Sequence, residues 1–225
     1  MNIHSCAKMT SSMQIHLTPL PPAATAPKTE EILRAVRIAF VDKGFDGASM
    51  QDLARAAGMS VGNFYRYFPS KDAIISQMIA LDMAEIEAVF AQVLNSPRPM
   101  DSLRAVIAQR LAQDKSEKTG QLWAEIAAAA QRKPEIAANA ADMEITVAGY
   151  LTQVFAAETG LPPDAANARF AAEAGFIILL IRSAATMTPC HPYAPDCAAI
   201  PDLTPLIMRT INQVLDSVSG AGSKG

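Results

Sequence analysis

Apolar residues recur at helical spacing along most of the chain, which predicts a protein built from α-helices. The first predicted helix runs from Lys28 to Lys43, with Ile32, Val36 and Phe40 on one face. Two short apolar-patterned segments follow and meet at Gly58. Because glycine tolerates the left-handed backbone of a tight turn, the two segments predict a helix-turn-helix. Alternating β-branched runs are scarce, so little sheet is expected.

Serine marks the expected start of three helices around this turn. Ser49 precedes the first short helix, Ser60 the second, and Ser70 a long helix that runs to Leu94. A serine hydroxyl at this position accepts a hydrogen bond from a backbone N–H that the helix leaves unpaired. Pro69 ends the second short helix, because the residue before a proline is displaced from the α region.

The second short helix carries no acidic residue between positions 60 and 67. Asn63 can contact a base edge or a phosphate, and Arg66 can do either more strongly. The tyrosine hydroxyls and the N-terminal N–H groups suit phosphate, and Gly62 permits close approach to a groove. The pattern predicts a surface that binds DNA. Its candidate residues are Ser49, Ser60, Val61, Gly62, Asn63, Tyr65, Arg66, Tyr67 and Lys71.

The stretch from Thr29 through Ile75 resembles the TetR/AcrR family of one-component transcriptional repressors. The resemblance rests on EILRAVRIAFVDKGFDGASM, the turn AAGMSVG and the tail NFYRYFPSKDAI. One departure is Val61, where family members often carry a polar or basic residue; a thymine methyl contact would replace the polar one. The resemblance implies an all-α fold, with an N-terminal three-helix helix-turn-helix DNA-binding domain and a C-terminal helical ligand-binding and dimerisation domain. It also implies a homodimeric repressor on a palindromic operator, released by a small effector.

Composition and charge refine this division of the chain. The net charge of −3 argues against a generally basic protein that coats nucleic acid. The Pro-, Ala-, Ser- and Thr-rich start is expected to be disordered. Its only basic residues are Lys8 and, at its end, Lys28, so an unused tail is favoured over an arm in the minor groove. The predicted regions are a disordered arm over 1–27, a DNA-binding domain over 28–72, an effector-binding and dimerisation domain over 73–219, and a flexible tail over 220–225.

The last two predicted helices, Asp164 to Met187 and Leu203 to Val218, carry more apolar surface than one core contact requires. The AGFIILLI run in the first is apolar on all sides, so one side should face the core and the other a partner subunit. These helices match the place where TetR-like proteins form a four-helix dimer interface. The predicted dimer interface consists of Phe176, Ile178, Ile181, Leu206, Ile207, Ile211 and Leu215.

Large side chains on the middle helices are candidates for an effector cavity, which a TetR-like body implies. Methionine- and alanine-rich walls would suit an apolar ligand, while ordinary core packing is the alternative for each residue. Glu125, Glu173 and Arg182 lie on otherwise apolar helices, where they could orient a polar effector group or form ion pairs. The predicted pocket consists of Trp123, Tyr150, Phe155, Phe176 and Arg182.

Catalytic and metal-binding chemistry finds little support. Cys190, His191 and Cys197 share one loop, but their spacing is not that of a zinc site and no basic neighbour would activate a thiol. No Gly-rich phosphate loop or HExxH motif occurs, so no catalytic residue, cofactor or metal is expected. Three cysteines without a disulfide framework, no membrane-length apolar run and no convincing secretory signal favour the cytoplasm. A ligand-sensing adaptor that does not bind DNA is a third class, favoured if Tyr65, Arg66 and Lys71 were inaccessible in the dimer.

Overall fold

The computed structural model describes residues 27–113, 119–186 and 202–222. The predicted arm up to residue 26, Met187 and the loop from Cys190 to Cys197 lie outside these ranges. Within them the chain forms α-helices and no strand, which confirms the all-α prediction. The helices are α1 (Pro27–Lys43), α2 (Met50–Ala56), α3 (Val61–Tyr67), α4 (Lys71–Leu94), α5 (Pro99–Gln113), α6 (Thr119–Ala130), α7 (Pro134–Thr159), α8 (Pro163–Thr186) and α9 (Thr204–Gly222).

The helix ends follow local chemistry. Pro27, Pro99, Pro134 and Pro163 each open a helix, since proline lacks the N–H that the first turn leaves unpaired. The last helix corrects one expectation, because α9 continues to Gly222 where a flexible tail was predicted from residue 220.

The first three helices, here called the head, pack around aromatic side chains. Phe40, Phe45, Phe64 and Phe68 are fully buried there. The cluster continues beyond the head into the first turns of α4 and onto α6 and α7. The predicted boundary between residues 72 and 73 therefore lies inside one continuous core. The members supplied from outside the head include Ile74, Ile75, Met78, Leu122, Ile126 and Ile136.

Helices α4 to α9 form the body, which has a second core cluster along α4, α5, α7, α8 and α9. Helices α4 and α7 run side by side in the same direction. Lys133 donates to Asp72 at 2.6 Å near the head, and the rings of Phe90 and Tyr150 stack at 5.2 Å further along. Helix α4 thus has residues in both clusters and joins the head to the body. None of the helices in the described ranges combines the length and apolarity that a membrane span requires.

Candidate nucleic-acid interface

The start of α2 is fixed by a reciprocal pair of hydrogen bonds. The Asp52 N–H donates to Ser49 Oγ at 3.2 Å, and the Ser49 N–H donates to the Asp52 carboxylate at 3.0 Å. Lys43 Nζ also donates to Asp52, at 2.5 Å. The bond from Lys43, followed by those from Ser49, holds the pKa of Asp52 well below its usual value. The predicted cap at Ser49 is confirmed, and its hydroxyl is engaged in that cap.

The turn and the start of α3 also follow the sequence pattern. Gly58 has a φ of 65°, and nothing lies within 4 Å of a Cβ built there, so backbone conformation alone selects glycine. The Asn63 N–H donates to Ser60 Oγ at 3.3 Å, which confirms the second predicted cap. Phe68 is extended and precedes Pro69, so α3 ends at Tyr67 as predicted.

Helix α3 has one buried side and one side open to solvent. Phe64, together with Phe68 just past the helix end, anchors the inner side, with ring centroids 5.3 Å apart. Tyr65 is 48% exposed, and Arg66 forms no ion pair with any residue in the described part of the chain. The structure thus brings most of the predicted DNA-binding residues onto one open surface, here called the α3 face. It consists of Ser60, Val61, Gly62, Asn63, Tyr65, Arg66 and Tyr67.

Lys71 has contacts within the protein that the sequence did not indicate. Its Nζ donates to the backbone oxygens of Phe45 at 2.8 Å and Asp46 at 3.2 Å. The same ammonium group lies 4.9 Å from the centroid of the Phe45 ring. A phosphate contact by Lys71 stays a prediction, and in this structure its donors bind the loop between α1 and α2.

That α1–α2 loop, residues 44–49, is also bound from the body. The Phe45 N–H donates to the Glu125 carboxylate on α6 at 2.8 Å. Arg132 donates to Asp46 at 2.7 Å, and Lys133 Nζ lies 4.9 Å from the Phe45 ring centroid. Glu125 was predicted either to orient an effector group or to form an ion pair, and its contact with the loop was not predicted, since nothing local pairs residues 80 positions apart. The signal in the sequence for this contact was a single charged residue on a mostly apolar helix.

The five predicted pocket residues are divided between the two core clusters and the surface, and a shared effector cavity stays a prediction. Trp123 packs against the head cluster, Tyr150 stacks on Phe90, and Phe155 is buried. Phe176 is 42% exposed, and Arg182 lies at the surface, where it pairs with Glu144. In the described ranges, a groove of about 200 Å³ lies between α4 and α7 and includes none of the five. Its lining is Ser76, Ile79, Ala80, Met83, Asn139, Asp142, Met143 and Thr146.

The predicted dimer residues divide into an outward and an inward group. Phe176 and Leu206 are exposed, and Ile178 and Ile181 are half-buried. Leu179, which was not predicted, is 55% exposed beside them on α8. A correction concerns α9, whose inward side packs into the body core and so is not available to a partner. The residues on that inward side are Ile207, Ile211 and Leu215.

A metal site is absent from the part of the chain that the structure describes, where no three His, Cys, Asp or Glu side chains gather as a metal would require. Cys190, His191 and Cys197 lie outside that part, so the structure does not bear on the expectation about their loop.

Comparison with known proteins agrees with the helix-turn-helix geometry of the head. Residues 32–78 match the family described as "Bacterial regulatory proteins, tetR family". The HTH-type transcriptional regulator UidR of Escherichia coli is 29% identical over 127 residues, which cover 56% of this chain and 64% of UidR. The solved structure titled "Salmonella enterica GusR" has a TM-score of 0.63 and 22% identity, over 86% of this chain and 98% of that one. The helix-turn-helix of this chain thus resembles that of the TetR family. The head carries the match, and the similarity to GusR extends the fold through the body.

A further relative is the HTH-type transcriptional repressor Rv1474c of Mycobacterium tuberculosis. It is 30% identical over 128 residues, which cover 52% of this chain and 64% of that repressor. The matched regions thus span less than two thirds of both curated relatives. The family match includes the α3 face and Lys71, whereas Glu125 lies beyond its end at residue 78.

Proposed function

We propose that this protein is a DNA-binding transcriptional repressor of the TetR family that acts as a homodimer on a palindromic operator and is released by a small, largely apolar effector. The observation that carries the proposal is the α3 face, which presents polar, aromatic and basic groups to solvent on the second helix of a helix-turn-helix. This is the helix that enters the major groove in such motifs. Repression is supported by the name of one relative, Rv1474c.

The chemistry of the α3 face suits DNA in two ways. Arg66 has no acidic partner among the described residues, so its guanidinium is available for a bidentate contact with a guanine edge. Tyr65 and Tyr67 are exposed and could donate to phosphates. Their exposure in the single chain favours a DNA-binding protein over the ligand-sensing adaptor.

A homodimer would place two α3 faces on one duplex, and a twofold axis matches a palindrome. Support comes from the outward apolar side chains of α8 and α9, namely Phe176, Leu179 and Leu206. Apolar surface of this kind is covered by a partner in many soluble proteins. We expect the partner to be a second copy of the chain.

Release by an effector would be a population shift, in which the ligand favours a separation of the two heads that no longer fits adjacent grooves. Support comes from α4, whose residues lie in both the head cluster and the body cluster. A tilt of α4 relative to α7 would therefore move the head. A regulator of this kind acts on DNA in the cytoplasm and needs no catalytic residue or cofactor.

Fluorescence anisotropy tests the proposal. The purified protein is titrated against labelled DNA from its own promoter region and against random DNA of equal length, across a salt series. We expect saturable binding of two protomers per site, with an affinity at least about 10³-fold above that for random DNA. Equal, weak binding to both DNAs that is lost at moderate salt would contradict it.

A further inference from the structure

We propose that Glu125 is a positioning residue for DNA binding: from α6 in the body it holds the α1–α2 loop of the head and so fixes the orientation of the helix-turn-helix. The inference rests on the proposed function, because it concerns how the body controls the DNA-binding surface. It assigns the control to a contact between α6 and the loop, in addition to α4.

Phe45 is the point at which the loop is held. Its ring is buried, and its N–H donates to Glu125 Oε2 at 2.8 Å. Its carbonyl accepts from Lys71 Nζ at 2.8 Å, and the ammonium groups of Lys71 and Lys133 each lie 4.9 Å from its ring centroid. Both backbone polar groups and the ring of this single residue therefore contact side chains from beyond the head.

The loop leads directly into the DNA-binding unit. Ser49, its last residue, caps α2, and Asp52 in the first turn of α2 bonds back to Lys43 at the end of α1. Helix α2 continues through the Gly58 turn into α3. Because these connections are short and bonded at each end, a displacement of Phe45 is passed to α2 and from there to α3.

Among the contacts with the loop from α6 and the residues after it, the one from Glu125 has the strongest physical basis. It joins a carboxylate to the N–H of a buried residue, and such charge-assisted bonds are among the stronger ones in proteins. Arg132 also reaches the loop, but its pair with Asp46 is largely exposed and is screened by water and salt. Trp123 and Ile126, neighbours of Glu125 on α6, pack in the head cluster, so a shift of α6 would move the carboxylate and the head together.

The experiment uses the full chain and three variants. Glu125→Ala removes the acceptor, and Glu125→Gln keeps an acceptor oxygen without the charge. Glu158→Ala is the matched control, since Glu158 accepts a hydrogen bond from Ser219 at 2.8 Å between two body helices. It lies at the far end of α7, roughly 38 Å from Lys133 at the rise of an α-helix.

Three readouts are compared for each variant. Hydrogen exchange followed by mass spectrometry reports the α1–α2 loop and, separately, the core of the head. DNA anisotropy gives the affinity for promoter DNA. Emission from Trp123, the only tryptophan in the chain, reports α6 when DNA is added. Because coupling between two sites is reciprocal, a body that positions the head must respond when the head binds DNA.

In the wild type we expect saturating DNA to change the emission of Trp123. In Glu125→Ala we expect faster exchange in the loop, unchanged protection in the head core, loss of the Trp123 response and a DNA affinity lower by about tenfold. The values for Glu125→Gln should fall between those of the wild type and Glu125→Ala, and Glu158→Ala should match the wild type. A Glu125→Ala protein with wild-type affinity and a wild-type Trp123 response would overturn the inference, leaving Glu125 as a loop cap only.

Two other outcomes are also decisive. If Glu125→Ala does not fold, Glu125→Gln carries the test, and wild-type values for its affinity and Trp123 response would overturn the inference. If the wild type binds promoter and random DNA equally, the proposed function fails. The inference is then decided separately, by whether Glu125→Ala abolishes the Trp123 response to random DNA at low salt.

Discussion

Two exposed surfaces of this molecule differ in chemistry. The α3 face presents Tyr65, Arg66 and Tyr67 around an anchored Phe64. The outward side of α8 presents Phe176 and Leu179 with no such polar groups between them. Polar and basic groups remain hydrated until a polyanion displaces the water. Covering exposed apolar side chains, in contrast, always lowers the free energy. The first surface therefore suits reversible, salt-dependent binding, and the second suits a lasting protein contact.

The largest effect should come from the inner side of α3. We expect Phe64→Ala to lower the free energy of unfolding by about 3–5 kcal/mol, since it removes a fully buried ring from the head core. Tyr65→Ala, one position along, should change it by no more than about 0.5 kcal/mol because that ring is exposed. Urea unfolding measures both variants, and equal losses would mean that α3 is not anchored by one side.

The next effect concerns the apolar surface. We expect Leu179→Glu to weaken the proposed dimer by about 2 kcal/mol or more, the loss typical of a central interface residue. Sedimentation velocity over a concentration series measures it, with Ala108→Glu on the exposed side of α5 as the control. An unchanged dimer would place the interface elsewhere. Ile211 is not a test site, since a charge there would disrupt the chain's own core.

A smaller effect is expected on the α3 face itself. Arg66→Ala should reduce the preference for operator over random DNA by about 1–3 kcal/mol while leaving the stability of the fold unchanged. Arg98→Ala, which removes the same charge from an exposed site outside the head, should lower neither the operator preference nor the stability of the fold. Anisotropy on both DNAs measures the preference. If Arg66→Ala left it unaltered, the assignment of α3 as the reading helix would fail.

The smallest effect is a pH dependence at the cap of α2. The pKa of Asp52 is lowered in the folded chain, so its contribution to stability is present above about pH 4, near the usual aspartate value, and is lost as the pH falls towards the folded-state pKa. Asp52→Asn should therefore lower the melting temperature at pH 7. The difference in melting temperature between this variant and the wild type should become smaller below about pH 4. Asp142→Asn, at an exposed site on α7, serves as the control. If the difference in melting temperature stayed constant with pH, the stabilising role of the ionised Asp52 would be contradicted.

Features encoded within a few residues could be predicted from the sequence. The caps at Ser49, Ser60 and Ser70, the turn at Gly58 and the stop at Pro69 each depend on neighbours no more than a few positions away. The same signals were sufficient to predict that the α3 face is open to solvent, because both ends of the helix and its apolar anchors are set by nearby residues. Resemblance to a known family supplied the rest of the architecture.

Features set by packing between distant helices could not be predicted. The apolar stripe of α9 is wide enough that periodicity does not decide which side faces inward. Its rotation is set from outside the helix, where Arg104 on α5 donates to Asn212 at 2.8 Å and to Asp216 at 2.6 Å. That rotation turns Ile211 into the core and leaves Leu206 at the surface. The contact between Glu125 and Phe45 escaped prediction for the same reason.

The 80-residue separation of Phe45 and Glu125 has a consequence for synthesis. At about 5–20 residues per second, a ribosome adds Glu125 roughly 4–16 s after Phe45. The capped helices of the head can form during that interval, because their bonds span only three or four residues. The side of the head core that Leu122 and Ile126 later cover is open to solvent until then. Chains stalled before residue 119 should therefore be cleaved by protease at the head, and full protection would show that the head completes itself unaided. The proposed DNA-binding surface is thus made before Glu125, the residue that we propose positions it.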